Sequence, residues 1–193
     1  MSVVRAFIAI DLSPEIHKRL DQVADELKNR LAGVPVRWVP VENVHLTLKF
    51  LGDVSLTNLE ILKKILRSEA NNHLPFEISI GQLGAFPSKR RPRVIWVGVE
   101  APQELMDLQR AIESETTRLG YARDRREFSP HLTLGRISRN ANSADLRQIG
   151  EVLKSYAVGF LGATRVKEVH LFRSDLQPGG AVYTSLLNAP LSA

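Results

Sequence analysis

The tetrapeptide His-Leu-Thr-Leu occurs twice in this chain, at residues 45–48 and again at residues 131–134. The whole sequence contains five histidines, so the repeat places two of them in identical surroundings. Imidazole is the side chain best suited to proton transfer near neutral pH, and in a pair one ring can accept a proton while the other donates one. Such a pair suits the addition of water across a P–O bond without a metal ion.

Each copy has the alternation of a half-buried β-strand. His45 and Thr47 share one face of such a strand, while Leu46 and Leu48 point to the other. The leucines predict a face packed on a core, which leaves the polar face for water or a ligand. A threonine hydroxyl can donate a hydrogen bond to the anion that the neighbouring imidazole addresses. A single His-x-Thr strand more often has a structural role, but the doubled motif favours catalysis.

Around these motifs the chain resembles the 2H phosphoesterase superfamily, which is named for its paired His-x-Thr-x motifs. The resemblance is greatest to the RNA 2′,3′-cyclic phosphodiesterases, historically called 2′-5′ RNA ligases. It covers nearly the whole chain and includes residues 5–12, 37–40, 43–52, 84–87, 93–99, 128–136 and 169–174. It implies an α+β fold with two pseudo-symmetric lobes of antiparallel sheet, helices packed outside, and a central cleft that carries the two motif strands. We therefore expect residues 1–193 to form a single bilobal domain.

The resemblance also implies an activity, namely metal-independent hydrolysis of an RNA terminal 2′,3′-cyclic phosphate to a 2′-phosphomonoester, with no cofactor. Carried over by motif, His45 is the proton donor to the leaving 3′ oxygen and His131 is the proton acceptor that activates water. Thr47 and Thr133 are expected to hold phosphate oxygens. Arg136 resembles the family's phosphate-contacting arginine.

The position of Arg136 conflicts with a regular strand. It lies five residues beyond His131, and an odd step places a side chain on the opposite face. A bulge or bend at Gly135 would return the arginine to the histidine face.

Other activities stay open at this point. The same residues would serve the reverse reaction, which joins RNA ends through a 2′-5′ linkage. A related activity on a small cyclic nucleotide or ADP-ribose cyclic phosphate is a second alternative, and an RNA-binding module without significant turnover is a third. The expected partners are RNA ends or nucleotides with a 2′,3′-cyclic phosphate. A metal site is disfavoured because neither motif contains a carboxylate among its four residues.

Composition sets further limits. The formal net charge is +5 and the isoelectric point is about 9.7, a balance that attracts polyanions. The chain has no cysteine, which excludes disulfides and thiolate ligands. The N-terminal sequence lacks a signal-peptide pattern, and no apolar run is long enough to span a bilayer. We therefore expect a cytoplasmic protein without membrane association, and we also expect it to be a monomer.

Hydrophobic periodicity predicts the elements that position the motifs. Helices are predicted at residues 13–33, 57–70, 102–120 and 143–155, and strands at 3–12, 43–51, 75–84, 93–100, 129–137, 164–173 and 181–188. A turn is predicted at 177–180. Phe50 is assigned to the core because it has the same strand parity as Leu46 and Leu48. Two basic segments, 89–93 and 118–126, are interpreted either as RNA contacts or as solvated loops.

Overall fold

The alternating apolar segments form four helices and nine strands in the computed structural model, which describes residues 3–178 and 180–192. The helices are α1 (Pro14–Arg30), α2 (Leu56–Asn71), α3 (Gln103–Arg118) and α4 (Ser143–Ser155). The strands are β1 (Val3–Ile10), β2 (Val36–Trp38), β3 (Leu46–Ser55), β4 (Phe76–Phe86), β5 (Val94–Val99), β6 (His131–Ile137), β7 (Phe160–Val166), β8 (Glu168–Gln177) and β9 (Gly180–Pro190). A short 3₁₀ helix, Val41–Asn43, lies between β2 and β3.

Several helices begin where a side chain satisfies the first free backbone amides. The hydroxyl groups of Ser13 and Ser55 accept hydrogen bonds at the starts of α1 and α2. Asn142 and Asp145 form a reciprocal capping box at the start of α4. No helix among residues 3–178 and 180–192 combines the length and apolar character needed to cross a bilayer.

All strand pairings are antiparallel, in the order β7-β4-β5-β6-β3-β1-β8-β9, with β2 paired to β6. The first lobe contains β3, β1, β8 and β9, and the second contains β2, β6, β5, β4 and β7. The lobes meet where β3 and β6 pair through Leu46 and Leu132. This arrangement confirms the predicted α+β architecture of two antiparallel lobes, each of which contributes one motif strand.

The helices cover the outside of both lobes. α2 packs on β8, β9 and α3, and α3 also packs on β3, whereas α1 packs on β7 and α4 on β4. The core-facing leucines of both motifs are at most 2% exposed, namely Leu46, Leu48, Leu132 and Leu134. The predicted apolar face of each motif strand is therefore confirmed.

Two features of the sheet differ from the sequence prediction. The strand predicted at 164–173 is two strands, because β7 pairs with β4 in the second lobe and β8 pairs with β1 in the first. Lys167 lies between them. Strand β2 was not predicted, since its three residues are too few to show a period. Of the turn predicted at 177–180, residue 179 lies outside the described residues.

Both motif strands contain a β-bulge at the fourth motif residue. In β3, Thr47 pairs with Ala9 while Lys49 pairs with the next residue, Ile8, so that Leu48 is the extra residue. In β6, Thr133 pairs with Trp96 while Gly135 pairs with Ile95, and the extra residue is Leu134. A bulge bends the strand and changes which face the following side chains occupy.

Candidate active site

A cleft of about 770 Å³ opens between the two lobes. Its walls include all five residues that the sequence predicts for the site, namely His45, Thr47, His131, Thr133 and Arg136. Each lobe supplies one histidine and one threonine, as the doubled motif requires. The fold therefore brings the two motifs to one concave surface.

His45 lies immediately before β3 in an aromatic enclosure. Its ring stacks on Phe7, with centroids 4.7 Å apart, and meets the edge of Tyr183 at 5.2 Å. Burial lowers the pKa of His45 to about 4, although a backbone hydrogen bond with Asn43 and the charge of Asp11 act in the opposite direction. The ring is consequently neutral at neutral pH in the substrate-free protein.

His131 begins β6 and has a defined tautomer. Its Nδ1 lies 2.7 Å from the carbonyl oxygen of Ser129, so Nδ1–H donates and Nε2 keeps a free lone pair. The edge of the ring contacts Phe86, with centroids 4.8 Å apart. Burial lowers the pKa of His131, the Ser129 hydrogen bond raises it, and the charge of Arg136 lowers it further. A neutral imidazole with an available nitrogen can accept a proton.

Thr47, Thr133 and Arg136 complete the polar lining. The two threonines are half-buried, whereas Arg136 is exposed. The sequence required a bulge or bend to turn Arg136 towards the histidine face, and β6 has one at Leu134, one residue before the expected position. Arg136 therefore lines the cleft together with His131.

The corresponding bulge in β3 makes the assignment of Phe50 to the core wrong. Phe50 is 63% exposed and lines the cleft. The sequence-based parity assumed a regular strand, and the bulge at Leu48 reverses that parity beyond the motif. Phe50 and Arg136 each lie five residues beyond a motif histidine, so the two lobes place an aromatic ring and a guanidinium at corresponding positions.

Sequence reasoning also missed a buried ion pair that supports the cleft wall. Lys49 is only 1% exposed, and its Nζ donates to Glu113 Oε1 at 2.8 Å and to the carbonyl oxygen of Ala122 at 2.7 Å. Glu113 Oε1 also accepts from the backbone N–H of Asp124 at 2.8 Å. We call Lys49 and Glu113, together with these backbone contacts, the Lys49–Glu113 pair. It anchors the start of the segment 121–130, which forms one rim of the cleft.

One further histidine lies behind the site. His17 Nε2–H donates to the carbonyl oxygen of Val44 at 3.0 Å and so ties α1 to the residue before His45. Among residues 3–178 and 180–192, no group of three or more histidine or carboxylate side chains is arranged to hold a metal ion.

Comparisons with known proteins agree with this two-lobed arrangement. A family model described as LigT-like phosphoesterase matches residues 10–96 and again residues 97–183, so each match contains one His-x-Thr motif. The RNA 2′,3′-cyclic phosphodiesterase of Methanothermobacter thermautotrophicus is 40% identical over 183 residues, which cover 95% of this chain and 96% of that protein.

Solved structures show the same fold. The crystal structure of TT0787 from Thermus thermophilus has a TM-score of 0.81 at 25% identity, over 97% of each chain. The Escherichia coli LigT complexed with 3′-AMP has a TM-score of 0.78 at 26% identity, over 100% of both chains. Because the family model matches once for each motif and a relative shares 40% identity along the whole fold, the chain belongs to the LigT-like phosphoesterase family.

Proposed function

We propose that this phosphoesterase hydrolyses the 2′,3′-cyclic phosphate at an RNA end to a 2′-phosphate, without a metal ion. The observation that carries the proposal is the convergence of His45 and His131, in matching strand contexts from opposite lobes, on one cleft. The 40% identical relative is an RNA 2′,3′-cyclic phosphodiesterase, which supports this choice of substrate. Both histidines belong to one chain, so we propose that residues 1–193 act as one catalytic domain and that a monomer suffices.

The proposed reaction is a displacement at phosphorus assisted by an acid and a base. His131 Nε2 takes a proton from water while the water oxygen forms a bond to phosphorus. The bond between phosphorus and the ribose 3′ oxygen breaks, and protonated His45 gives its proton to that oxygen. The 2′ ester bond stays intact, so the product is a 2′-phosphomonoester. The Nδ1–H bond of His131 to Ser129 supports its role as the base.

The remaining polar groups of the cleft stabilise negative charge on the phosphorus oxygens. The hydroxyls of Thr47 and Thr133 and the guanidinium of Arg136 are donors fixed on strands before the substrate arrives. A bound cyclic phosphate carries a negative charge, which favours the protonated form of a nearby imidazole. Substrate binding therefore raises the pKa of His45 from its low value in the substrate-free protein and couples binding to proton uptake.

The pH dependence of kcat/KM tests these protonation states. The rate falls on the acid side as His131 gains a proton, and on the alkaline side as His45 loses its own. Burial places the pKa of His45 near 4 and that of His131 below its ordinary 6.5. We expect a bell-shaped profile with its maximum below pH 6.5, measured from initial rates of formation of the 2′-phosphomonoester. A rate that rises steadily towards alkaline pH would contradict the proposal.

Circular dichroism must accompany these rates. The folded state disfavours a charged His45, so the unfolded chain binds more protons between pH 6.5 and 4. The stability that this residue contributes is complete above pH 6.5 and is lost as the pH falls towards 4. Rates are compared only at pH values where the fold persists.

Phe50 offers an aromatic surface for the terminal base. Base–aromatic stacking contributes about 1–3 kcal/mol per base, so Phe50→Ala is expected to raise KM roughly tenfold or more while kcat changes little. Steady-state kinetics on a cyclic-phosphate dinucleotide measure both constants. Phe160→Ala is the matched control, since Phe160 is 71% exposed on β7 and does not line the cleft. Equal effects of the two substitutions would rule out a stacking role.

Product analysis in EDTA is the decisive experiment on the function as a whole. An oligoribonucleotide with a terminal 2′,3′-cyclic phosphate is incubated with the protein, and phosphorus NMR distinguishes a 2′-phosphate from a 3′-phosphate. A 2′-phosphate formed in EDTA supports the proposal, and a 3′-phosphate or an EDTA-sensitive reaction overturns the mechanism. Tight RNA binding without turnover would favour an RNA-binding module, and joining of RNA halves with a 5′-hydroxyl would favour ligation.

A further inference from the structure

The two ends of the cleft differ in chemistry. β3 and β6 are antiparallel and cross at Leu46 and Leu132, so Phe50 and Arg136, each four residues farther along its strand, lie at opposite ends. The Phe50 end includes Phe128 and the rim residues 124–127, where two acids accompany two arginines. The Arg136 end is lined by Val39, Asn43 and Val94 together with Arg136. One end is therefore aromatic with balanced charge, and the other carries a net positive charge.

A second arginine extends the positive end beyond the cleft lining. Arg37 pairs directly with Arg136 across β2 and β6. Residues opposite each other in an antiparallel pair share a face, and the strands are about 5 Å apart. Arg136 faces the cleft, so Arg37 lies on the same face.

The packing of β2 independently fixes this orientation. A Cβ added at Gly135 would lie 2.8 Å from Val36 Cγ1 and 3.0 Å from Trp38 Cε3, which places both side chains on the face that Gly135 presents. Gly135 precedes Arg136 and presents the opposite face. Arg37, between Val36 and Trp38, therefore points away from them and towards the cleft side.

The two arginines have no protein counter-ion within the described part of the chain. Both are exposed, and neither forms an ion pair within 4.0 Å among residues 3–178 and 180–192. Like charges directly opposite each other destabilise an antiparallel pair. Phosphate groups bound beside the two guanidinium groups offset this repulsion, and a phosphodiester matches the donor geometry of a guanidinium.

We infer that Arg37 binds the phosphodiester immediately 5′ of the terminal nucleotide, while Arg136 contacts the terminal phosphate. This inference rests on the proposed function and adds a preference to it. An RNA end with at least one internucleotide phosphate is a better substrate than a mononucleoside 2′,3′-cyclic phosphate. The terminal base then occupies the Phe50 end, and the rest of the RNA leaves over β2.

The test compares two substrates. The dinucleotide ApA with a terminal cyclic phosphate has the internucleotide phosphate, and adenosine 2′,3′-cyclic phosphate lacks it. Arg37→Gln is expected to lower kcat/KM for the dinucleotide roughly three- to tenfold, as for one partly exposed charged hydrogen bond, and to leave the mononucleotide rate unchanged. A dinucleotide with a neutral methylphosphonate linkage should lose the same factor with the unmodified protein and show no further loss with Arg37→Gln.

Arg147→Gln on α4 is the control for the loss of one positive charge, because Arg147 is exposed and does not line the cleft. It is expected to affect both substrates equally and weakly. If Arg37→Gln lowers kcat/KM for both substrates by the same factor, or for neither, the subsite is disproved. The proposed hydrolase function is not affected by that outcome. If the unmodified protein turns over neither substrate, the proposed function itself fails and the subsite fails with it.

Discussion

Replacement of either His45 or His131 by alanine is expected to lower kcat about a hundredfold or more, since a positioned general acid or base contributes about 10²–10⁴-fold. The double replacement should cost little beyond the larger single loss, because acid and base act in one displacement and such effects are not additive. The measurement is single-turnover formation of the 2′-phosphomonoester in EDTA, which reports the chemical step without product dissociation.

Matched variants separate lost chemistry from lost packing. His45→Ala also removes the ring that stacks on Phe7. His45→Gln keeps a side chain of similar reach, and it should be as inactive as His45→Ala with an unchanged melting temperature. His73→Ala removes a histidine that does not line the cleft and should keep full activity. Retention of more than a tenth of the activity in both His45→Ala and His131→Ala would exclude the paired-histidine mechanism.

Lys49→Met is expected to cause the largest loss of stability. It leaves Glu113 with a buried carboxylate and no cation, and Glu113 Oε2 already lacks a hydrogen-bond partner among the described residues. Removal of one member of a buried ion pair costs about 3–5 kcal/mol. For a chain of this length that loss lowers Tm by on the order of 10 °C. Urea unfolding followed by circular dichroism measures it.

The double variant Lys49→Met, Glu113→Leu tests the cause of that loss. Replacement of both members of a buried ion pair by apolar residues is often neutral, so the double variant should recover much of the lost stability. Lys63→Met breaks the ion pair with Glu60 on the surface of α2 and should leave Tm nearly unchanged. Two outcomes would contradict this role of the buried pair in holding the rim segment. Either Lys49→Met is as stable as the original chain, or the double variant is less stable than both the original chain and Lys49→Met.

Much of the candidate site follows from short-range patterns. The alternation of His-Leu-Thr-Leu predicted which face of each strand is buried, and Leu46 and Leu132 are both fully buried as expected. The helix start predicted at residue 13 depends on local capping, and Ser13 does cap α1. These features need only the residues within one turn or one strand.

The failures involve pairing between distant segments. Phe50 was assigned to the core because no local signal shows that Leu48 is the extra residue opposite β1. Lysine is a residue type that is usually exposed, and the buried partner of Lys49, Glu113, lies far along the chain on α3. Strand β2 is likewise defined by its pairing with β6. The break at Lys167 exists because β7, before it, pairs with β4. Register and partner choice are long-range properties, which periodicity does not encode.

The interleaving of the lobes sets an order for synthesis on the ribosome. The second lobe's last strand, β7, ends at Val166. The first lobe is incomplete until β8 and β9 have been synthesised, and these strands extend to Pro190. Until β8 is made, β1 keeps an unpaired edge that is open to wrong partners. Tyr183, whose ring encloses His45, lies on the last strand. The nascent chain therefore acquires the complete surroundings of one catalytic candidate only when its final strand docks.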